Sequence, residues 1–313
     1  MQVFVKRIFL LSVLIFFITL APALWAQPRD ITSESTKKTE PGIPFELDSS
    51  PPSPFERRMV FEKLSEHNPF VILPHKPTYL LPLTYNTSAN DEPFKKLTGD
   101  DVQPMEIKFQ LSLKILMLQN LFKKNTQLAF AYTQQSNWQA YQFKRSSPFR
   151  ETNHEAELMF SFFNHSNFMG YRHRMTTLGL SHHSNGRADN FSRSWNRFYI
   201  NFIFEKRNLL LSIKPWMRIP DKAKRDENPD IEKYFGYGEI LAHYRMGEYT
   251  LGFVLRNNMR KKNKGAIQVD WTFPFYGKIN GYFQYFNGYG ETLIDYQNST
   301  NRFGLGIILT NWL

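Results

Sequence analysis

Several stretches of this chain alternate strictly between apolar and polar residues, and no other feature limits its possible folds as severely. Met105, Ile107, Phe109, Leu111, Leu113 and Ile115 interleave with Glu106, Lys108, Gln110, Ser112 and Lys114. Ala156, Leu158, Phe160 and Phe162 interleave with Glu155, Glu157 and Ser161; Ile267, Val269, Trp271 and Phe273 with Gln268, Asp270 and Thr272; Phe303, Leu305, Ile307 and Leu309 with Arg302, Gly304, Gly306 and Thr310. A period of two puts all apolar side chains of a strand on one face. Twelve such segments are expected, near 79–86, 105–117, 126–138, 155–163, 174–184, 194–205, 208–217, 234–244, 248–256, 265–273, 278–286 and 301–311. Most approach the ~9–11 residues that a tilted membrane strand needs. The alternation also reconciles a mean hydropathy of −0.46 with an aromatic content of 16%: abundant apolar surface, in no continuous run.

The one continuous apolar run is at the start. Lys6 and Arg7 precede Ile8 to Leu20, and small residues follow around Ala21, Ala23 and Ala26. A basic region, an apolar core and a small-residue cleavage site make residues 1–26 a signal peptide, cut after Ala23 or Ala26. The run is short for a span of about 20 residues, which argues against a helical anchor. Cleavage removes Lys6 and Arg7 and lowers the formal charge of +11 by two. Residues 27–66 hold Pro28, Pro41, Pro44 and the Ser49–Pro54 cluster with little periodicity, and read as a flexible N-terminal extension. The remainder, 67–313, is a single all-β domain. The absence of Cys excludes a disulfide scaffold, a thiolate metal site, a Cys nucleophile and a lipoprotein anchor.

A soluble sandwich would alternate in the same way, but three features favour a twelve-stranded antiparallel transmembrane β-barrel in the outer membrane. The chain is exported. Aromatics gather towards strand ends, at Tyr234, Phe235 and Tyr237, at Phe273, Phe275 and Tyr276, and at Trp312, as in the girdles of such barrels. Links also alternate in length: 185–193, 218–233 and 287–300 are long, whereas Lys206-Arg207, Arg245-Met246-Gly247 and Pro274-Phe275-Tyr276-Gly277 are short. Long external loops and short periplasmic turns produce that pattern.

Polar residues interrupt the apolar face in one place. Leu178 and Leu180 share a face that His182 and Ser184 continue; Phe198, Ile200, Phe202 and Phe204 share a face that Asn196 continues. Three polar groups thus converge on the lipid side of neighbouring strands, next to one external loop, where unpaired polar groups are costly. The bland reading is a polar patch at the interface. The chemical one is a relay in which Ser184 attacks an ester, His182 takes and returns the proton, and Asn196 fixes the imidazole tautomer. A neutral Asn avoids setting a carboxylate against hydrocarbon.

The run from His182 through Ser184-Asn185-Gly186-Arg187-Ala188-Asp189-Asn190-Phe191-Ser192 to Asn196-Arg197 closely resembles the signature of the outer membrane phospholipase A family, twelve-stranded calcium-dependent lipases of Gram-negative bacteria. Lys108–Leu113, Tyr132–Ser136, Ser146–Asn153, Lys214–Trp216, Asn228–Asp230 and Gly288–Tyr296 extend the resemblance over about residues 67–313. It implies hydrolysis of sn-1 and sn-2 acyl esters of phospholipids and lysophospholipids, with Ser184, His182 and Asn196 in the roles above and the Gly186 N–H as an oxyanion donor. It further implies Ca2+ held by the Ser192 hydroxyl, the Arg187 carbonyl and the Ser146 carbonyl of a second subunit, so that a reversible homodimer completes the site. A calcium site in the monomer would use Asp189 and Glu227, the latter where the family pattern has Asp. Gln134 matches a polar residue buried between the two barrels. His183 departs from the pattern and points to the opposite face, so it is expected to fill or tune the lumen.

The stretch Arg256–Lys264 carries five positive charges on the expected outer side, suited to lipopolysaccharide phosphates or simply solvated. No aromatics interleave with it, which argues against nucleic acid. The competing function class is a barrel without catalysis, a porin or a structural protein. Twelve strands leave only a narrow lumen for a porin.

Overall fold

The computed structural model describes residues 53–64, 71–121, 125–143, 148–222, 226–277 and 279–311, all within one compact unit. The expected signal peptide, residues 27–52, 65 and 66 of the expected extension, Ser146 and Trp312 lie outside the described residues.

Twelve strands make up the wall: β1 (Thr78–Asn86), β2 (Met105–Gln119), β3 (Thr126–Trp138), β4 (Phe149–Phe163), β5 (Tyr171–Ser184), β6 (Ser194–Lys206), β7 (Leu209–Ile219), β8 (Gly238–Met246), β9 (Tyr249–Asn257), β10 (Gly265–Tyr276), β11 (Ile279–Tyr289) and β12 (Ser299–Thr310). Each pairs antiparallel with its neighbours in sequence, and β12 pairs with β1 to close the barrel. Closure leaves no edge strand, the condition for a sheet to stand in lipid. Two-residue strands at Leu73–Pro74 and Asn167–Phe168 add short pairings to β2 and β5. No helix among the described residues is long and apolar enough to cross a membrane.

The alternation divides the wall as its period requires. Leu158, Leu180, Leu251, Ile267, Trp271 and Leu305 are each about 40–50% exposed on the outside, an apolar belt for lipid. Glu106, Lys108, Ser112 and Lys114 turn inward and are buried. The lumen is packed with paired charge: Arg150 Nε lies 2.6 Å from Glu106 Oε1, Arg150 Nη1 2.6 Å from Asp295 Oδ2, and Lys108 Nζ 2.9 Å from Glu291 Oε1. Such pairs contribute little net stability, but each would be costly to break. The cavity that remains measures about 290 Å³.

Two expectations are corrected. Residues 53–64 do not continue the extension: they form α1 (Pro54–Leu64). Its start is a capping box, in which Ser53 Oγ accepts from the Glu56 amide at 3.2 Å and Glu56 Oε2 accepts from the Ser53 amide at 2.9 Å, with Pro54 in the first turn. Phe55 and Met59 pack on Ile203 and Leu210, Glu56 pairs with Arg174 at 2.6 Å, and Glu62 pairs with Lys114 at 2.7 Å. The helix thus meets the wall with both apolar and charged residues. Secondly, Tyr234 and Phe235 are not part of a girdle. Phe235 ends a short helix, α2 (Glu232–Phe235), and is buried against Trp195 and Trp216. Phe275 and Tyr276, 69% and 79% exposed at the β10–β11 turn, do sit where a girdle belongs.

Candidate active site

Ser184 ends β5, and Asn196 is the third residue of β6. The antiparallel register sets His182 directly opposite Asn196, and Ser184 opposite Ser194 on one side and His154 of β4 on the other. His182 and Ser184, two apart on one strand, share the outer face with Leu180. His182 is exposed, while Ser184 and Asn196 are half-buried. His182 Nδ1 lies 2.8 Å from Asn196 Oδ1. With Nδ1–H donating to the amide oxygen, the Nε2 lone pair is left free to accept a proton. No hydrogen bond joins the Ser184 hydroxyl to the imidazole; in unliganded enzymes such contacts are often long and tighten with substrate.

The inner face beneath the site is packed with aromatic and charged side chains. Trp195 is fully buried, with the Arg197 guanidinium 4.5 Å from its ring centroid, and its Nε1–H donates to His183 Nδ1 at 3.3 Å. His183 thus points into the lumen, on the face opposite Ser184. Gly179 allows Tyr199 to cross under β5: a Cβ there would fall 2.1 Å from the tyrosine ring.

The loop 185–193 is organised by Asn185, which is 4% exposed. Its Nδ2 donates to the Phe191 carbonyl at 2.9 Å, and its Oδ1 accepts from the Arg193 amide at 3.0 Å and the Arg187 amide at 3.3 Å. Gly186 sits at φ +62°, the left-handed region that glycine enters without strain. The Arg187 guanidinium anchors the loop on β4, donating to Glu151 Oε2 at 3.1 Å and the Arg150 carbonyl at 2.6 Å. Among the described residues none hydrogen bonds to the Arg187 carbonyl or the Ser192 hydroxyl, two oxygens close to Ser184 in sequence. An all-oxygen set of this kind suits a hard divalent cation with added waters. Asp189 is exposed, and Glu227 accepts from Ser194 Oγ at 3.3 Å, but no described contact joins the two carboxylates. Among the described residues there is no cluster of three or more His, Cys, Asp or Glu fit to hold a metal.

One neighbour was not singled out from sequence. His154 Nδ1 lies 2.6 Å from the Tyr132 hydroxyl, and its ring abuts Gly186. It lies just beyond the Ser146–Asn153 stretch that carries the family resemblance. Only the register of β4 against β5 brings it to the site.

A closed barrel with an apolar belt and a polar cluster on its outer wall defines a β-barrel of the outer membrane. Comparison with known proteins narrows this further. The family model described as Phospholipase A1 matches residues 55–309. The Phospholipase A1 of Salmonella typhimurium is 37% identical over 255 residues, 81% of this chain and 86% of that protein. The outer membrane phospholipase A of Escherichia coli superposes with a TM-score of 0.74 at 35% identity, covering 78% of this chain and all of that one. Another structure of the E. coli protein is of an active-site mutant in which an asparagine is replaced by alanine. The Salmonella typhi outer membrane phospholipase, a dimer with bound calcium, superposes with a TM-score of 0.75 at 37% identity, covering 80% of this chain and 97% of that one. The chain belongs to the phospholipase A1 family and is a carboxylic ester hydrolase of the outer membrane.

Proposed function

We propose that the protein is a calcium-dependent phospholipase that cleaves sn-1 and sn-2 acyl esters of phospholipids and lysophospholipids by a Ser184–His182–Asn196 relay on the outside of the barrel, and that dimerisation activates it. The observation that carries the reading is the 2.8 Å contact from His182 Nδ1 to Asn196 Oδ1 beside Ser184 on the lipid face. The E. coli relative, in which an asparagine belongs to the active site, supports the role of Asn196.

In this reading His182 Nε2 takes the Ser184 proton as Oγ attacks the ester carbonyl carbon. The tetrahedral oxyanion receives a hydrogen bond from the Gly186 N–H. As the intermediate collapses, the imidazolium returns its proton to the leaving alcohol and an acyl-Ser184 remains. Water, deprotonated by His182, then releases the fatty acid and restores the serine. Asn196 holds the imidazole in one tautomer throughout.

Ser192, through its hydroxyl, and Arg187, through its carbonyl, would hold the calcium together with the Ser146 carbonyl of a second copy. Calcium bound there polarises the ester carbonyl. The calcium-bound dimer of the Salmonella typhi relative supports both the ion and the pairing. Asp189 and Glu227 are proposed as a weaker calcium site of the monomer.

The outward siting of the relay fits a substrate that arrives by lateral diffusion in the membrane. In an intact outer leaflet rich in lipopolysaccharide such substrate is scarce, so activity would follow membrane damage. The basic loop is proposed to contact lipopolysaccharide phosphates, but with fewer charges than sequence suggested. Arg256 lies in β9 with its guanidinium 4.7 Å from the Phe235 ring centroid, and Lys264 Nζ lies 3.6 Å from that of Tyr234, leaving Arg260, Lys261 and Lys262 exposed. For a porin, the small, charge-paired lumen offers no support.

The test is fatty acid release from detergent-dispersed phospholipid by the purified barrel. Hydrolysis that a calcium chelator abolishes is expected; ion conductance without hydrolysis would overturn the reading.

A further inference from the structure

His154 stands beside Ser184 and has no part in the relay. The two are direct partners across β4 and β5, so both side chains leave the same outer face, with Cβ atoms about 4.5–5.5 Å apart for such a pair. The Tyr132 hydroxyl on β3 lies 2.6 Å from His154 Nδ1, and the two rings stack with centroids 6.1 Å apart at 27°. A phenol is a stronger acid than a neutral imidazole, so the hydroxyl donates and Nδ1 accepts. That assigns the ring proton to Nε2. Nε2 and Cδ2 both lie 3.6 Å from the point a Cβ on Gly186 would occupy. Among the described residues Nε2 has no hydrogen-bond partner. A half-buried imidazole is therefore held by one nitrogen while the other, bearing its proton, faces the space next to Gly186.

Under the proposed function that space is where the scissile ester's oxygen gains charge. We propose that His154 is a further catalytic residue, whose Nε2–H donates a hydrogen bond to the developing oxyanion alongside the Gly186 N–H. No proton leaves His154 in this role; the imidazole stays neutral and acts as a fixed dipole. Tyr132 is a positioning residue that holds the donating tautomer. A side-chain donor set on a strand is better fixed than one on a loop, which suits a site whose other protein donor is on the 185–193 loop.

The proposal rests on Ser184 as the nucleophile, and one set of purified full-length variants separates the two claims. His154→Phe keeps a flat ring but has no donor; His154→Gln restores an N–H at similar reach. Loss of one oxyanion donor costs roughly 10²–10³ in kcat where few others remain, and less where a backbone N–H persists. In steady-state hydrolysis of micellar phospholipid, His154→Phe is expected to lower kcat by about 10- to 100-fold with KM changed less than about threefold, and His154→Gln to recover most of the loss. If His154→Phe does not fold, Tyr132→Phe gives the same readout, with an expected drop in kcat of about three- to tenfold from the lost tautomer control. Native kcat in His154→Phe, or in Tyr132→Phe where that variant decides, would overturn the proposal. So would equal losses in the Phe and Gln variants, which would mark a packing role. If Ser184→Ala is inactive in the same assay, such results count against His154 alone; full activity of Ser184→Ala would instead overturn the nucleophile and this proposal with it.

Discussion

Asn196 Oδ1 and His182 Nδ1 meet at 2.8 Å across β5 and β6, between residues 14 apart in sequence that the strand register makes direct partners. Neither residue needs a loop to reach the other. The wall of the barrel is the scaffold, and the amide gives the imidazole an acceptor without placing a carboxylate in lipid.

Removing that acceptor should slow chemistry without unfolding the barrel. Asn196→Ala is expected to lower kcat by about 10- to 100-fold, well short of the ~10⁴ that a wrong tautomer costs a Ser-His-Asp triad, because a neutral amide supplies orientation without charge. Steady-state kinetics on micellar phospholipid, with thermal melting as the check on folding, reads both effects. Native kcat in the Ala variant would remove Asn196 from the relay.

Calcium dependence should reside in the oxygens of the 185–193 loop. Chelation is expected to abolish hydrolysis, and calcium, but not sodium, to restore it. Ser192→Ala should raise the calcium concentration for half-maximal activity by about tenfold or more, the order expected for loss of one ligand from a sparse site. An unchanged calcium titration would place the ion elsewhere.

The inner face predicts a stability effect at a distance from the chemistry. A methyl on Gly179 would fall 2.1 Å from the Tyr199 ring, which is 3% exposed. Gly179→Ala should therefore destabilise by about 1–3 kcal/mol through overpacking. A lower denaturant midpoint checks this; an unaltered midpoint would show that Tyr199 moves freely.

How α1 is held gives another prediction. Arg174 pairs with Glu56 of the helix at 2.6 Å and with Glu205 of the wall at 2.8 Å, all three nearly inaccessible. Arg174→Met strands two buried carboxylates and should cost about 3–5 kcal/mol, partly recovered by adding Glu56→Gln. Thermal melts of the single and double variants decide it, and equal melting temperatures for native and Arg174→Met would sink the pairing as a stabilising element.

The barrel was legible from sequence because its determinant is local. Alternation along β2 or β10 is a property of a dozen consecutive residues, and Thr126–Trp138 matches the expected third segment at both ends. The convergence of His182, Ser184 and Asn196 was legible for the same reason, since parity along β5 and β6 puts the three on one face. What depended on pairing between distant segments was not. Glu56 and Glu62 look solvated until Arg174 and Lys114 are seen facing them. Tyr234 and Phe235 look like a girdle until α2 folds Phe235 onto Trp195 and Tyr234 onto Tyr296. His154 is one polar residue among many on β4, and only the register against Ser184 and the Tyr132 hydroxyl gives it a role.

The most direct test of the account is ester hydrolysis by purified, folded Ser184→Ala. Measured as fatty acid released from phospholipid in the presence of calcium, with native melting behaviour established first, the variant should show no activity above background. Hydrolysis at the native rate would contradict the assignment of Ser184, and with it the relay on the lipid face.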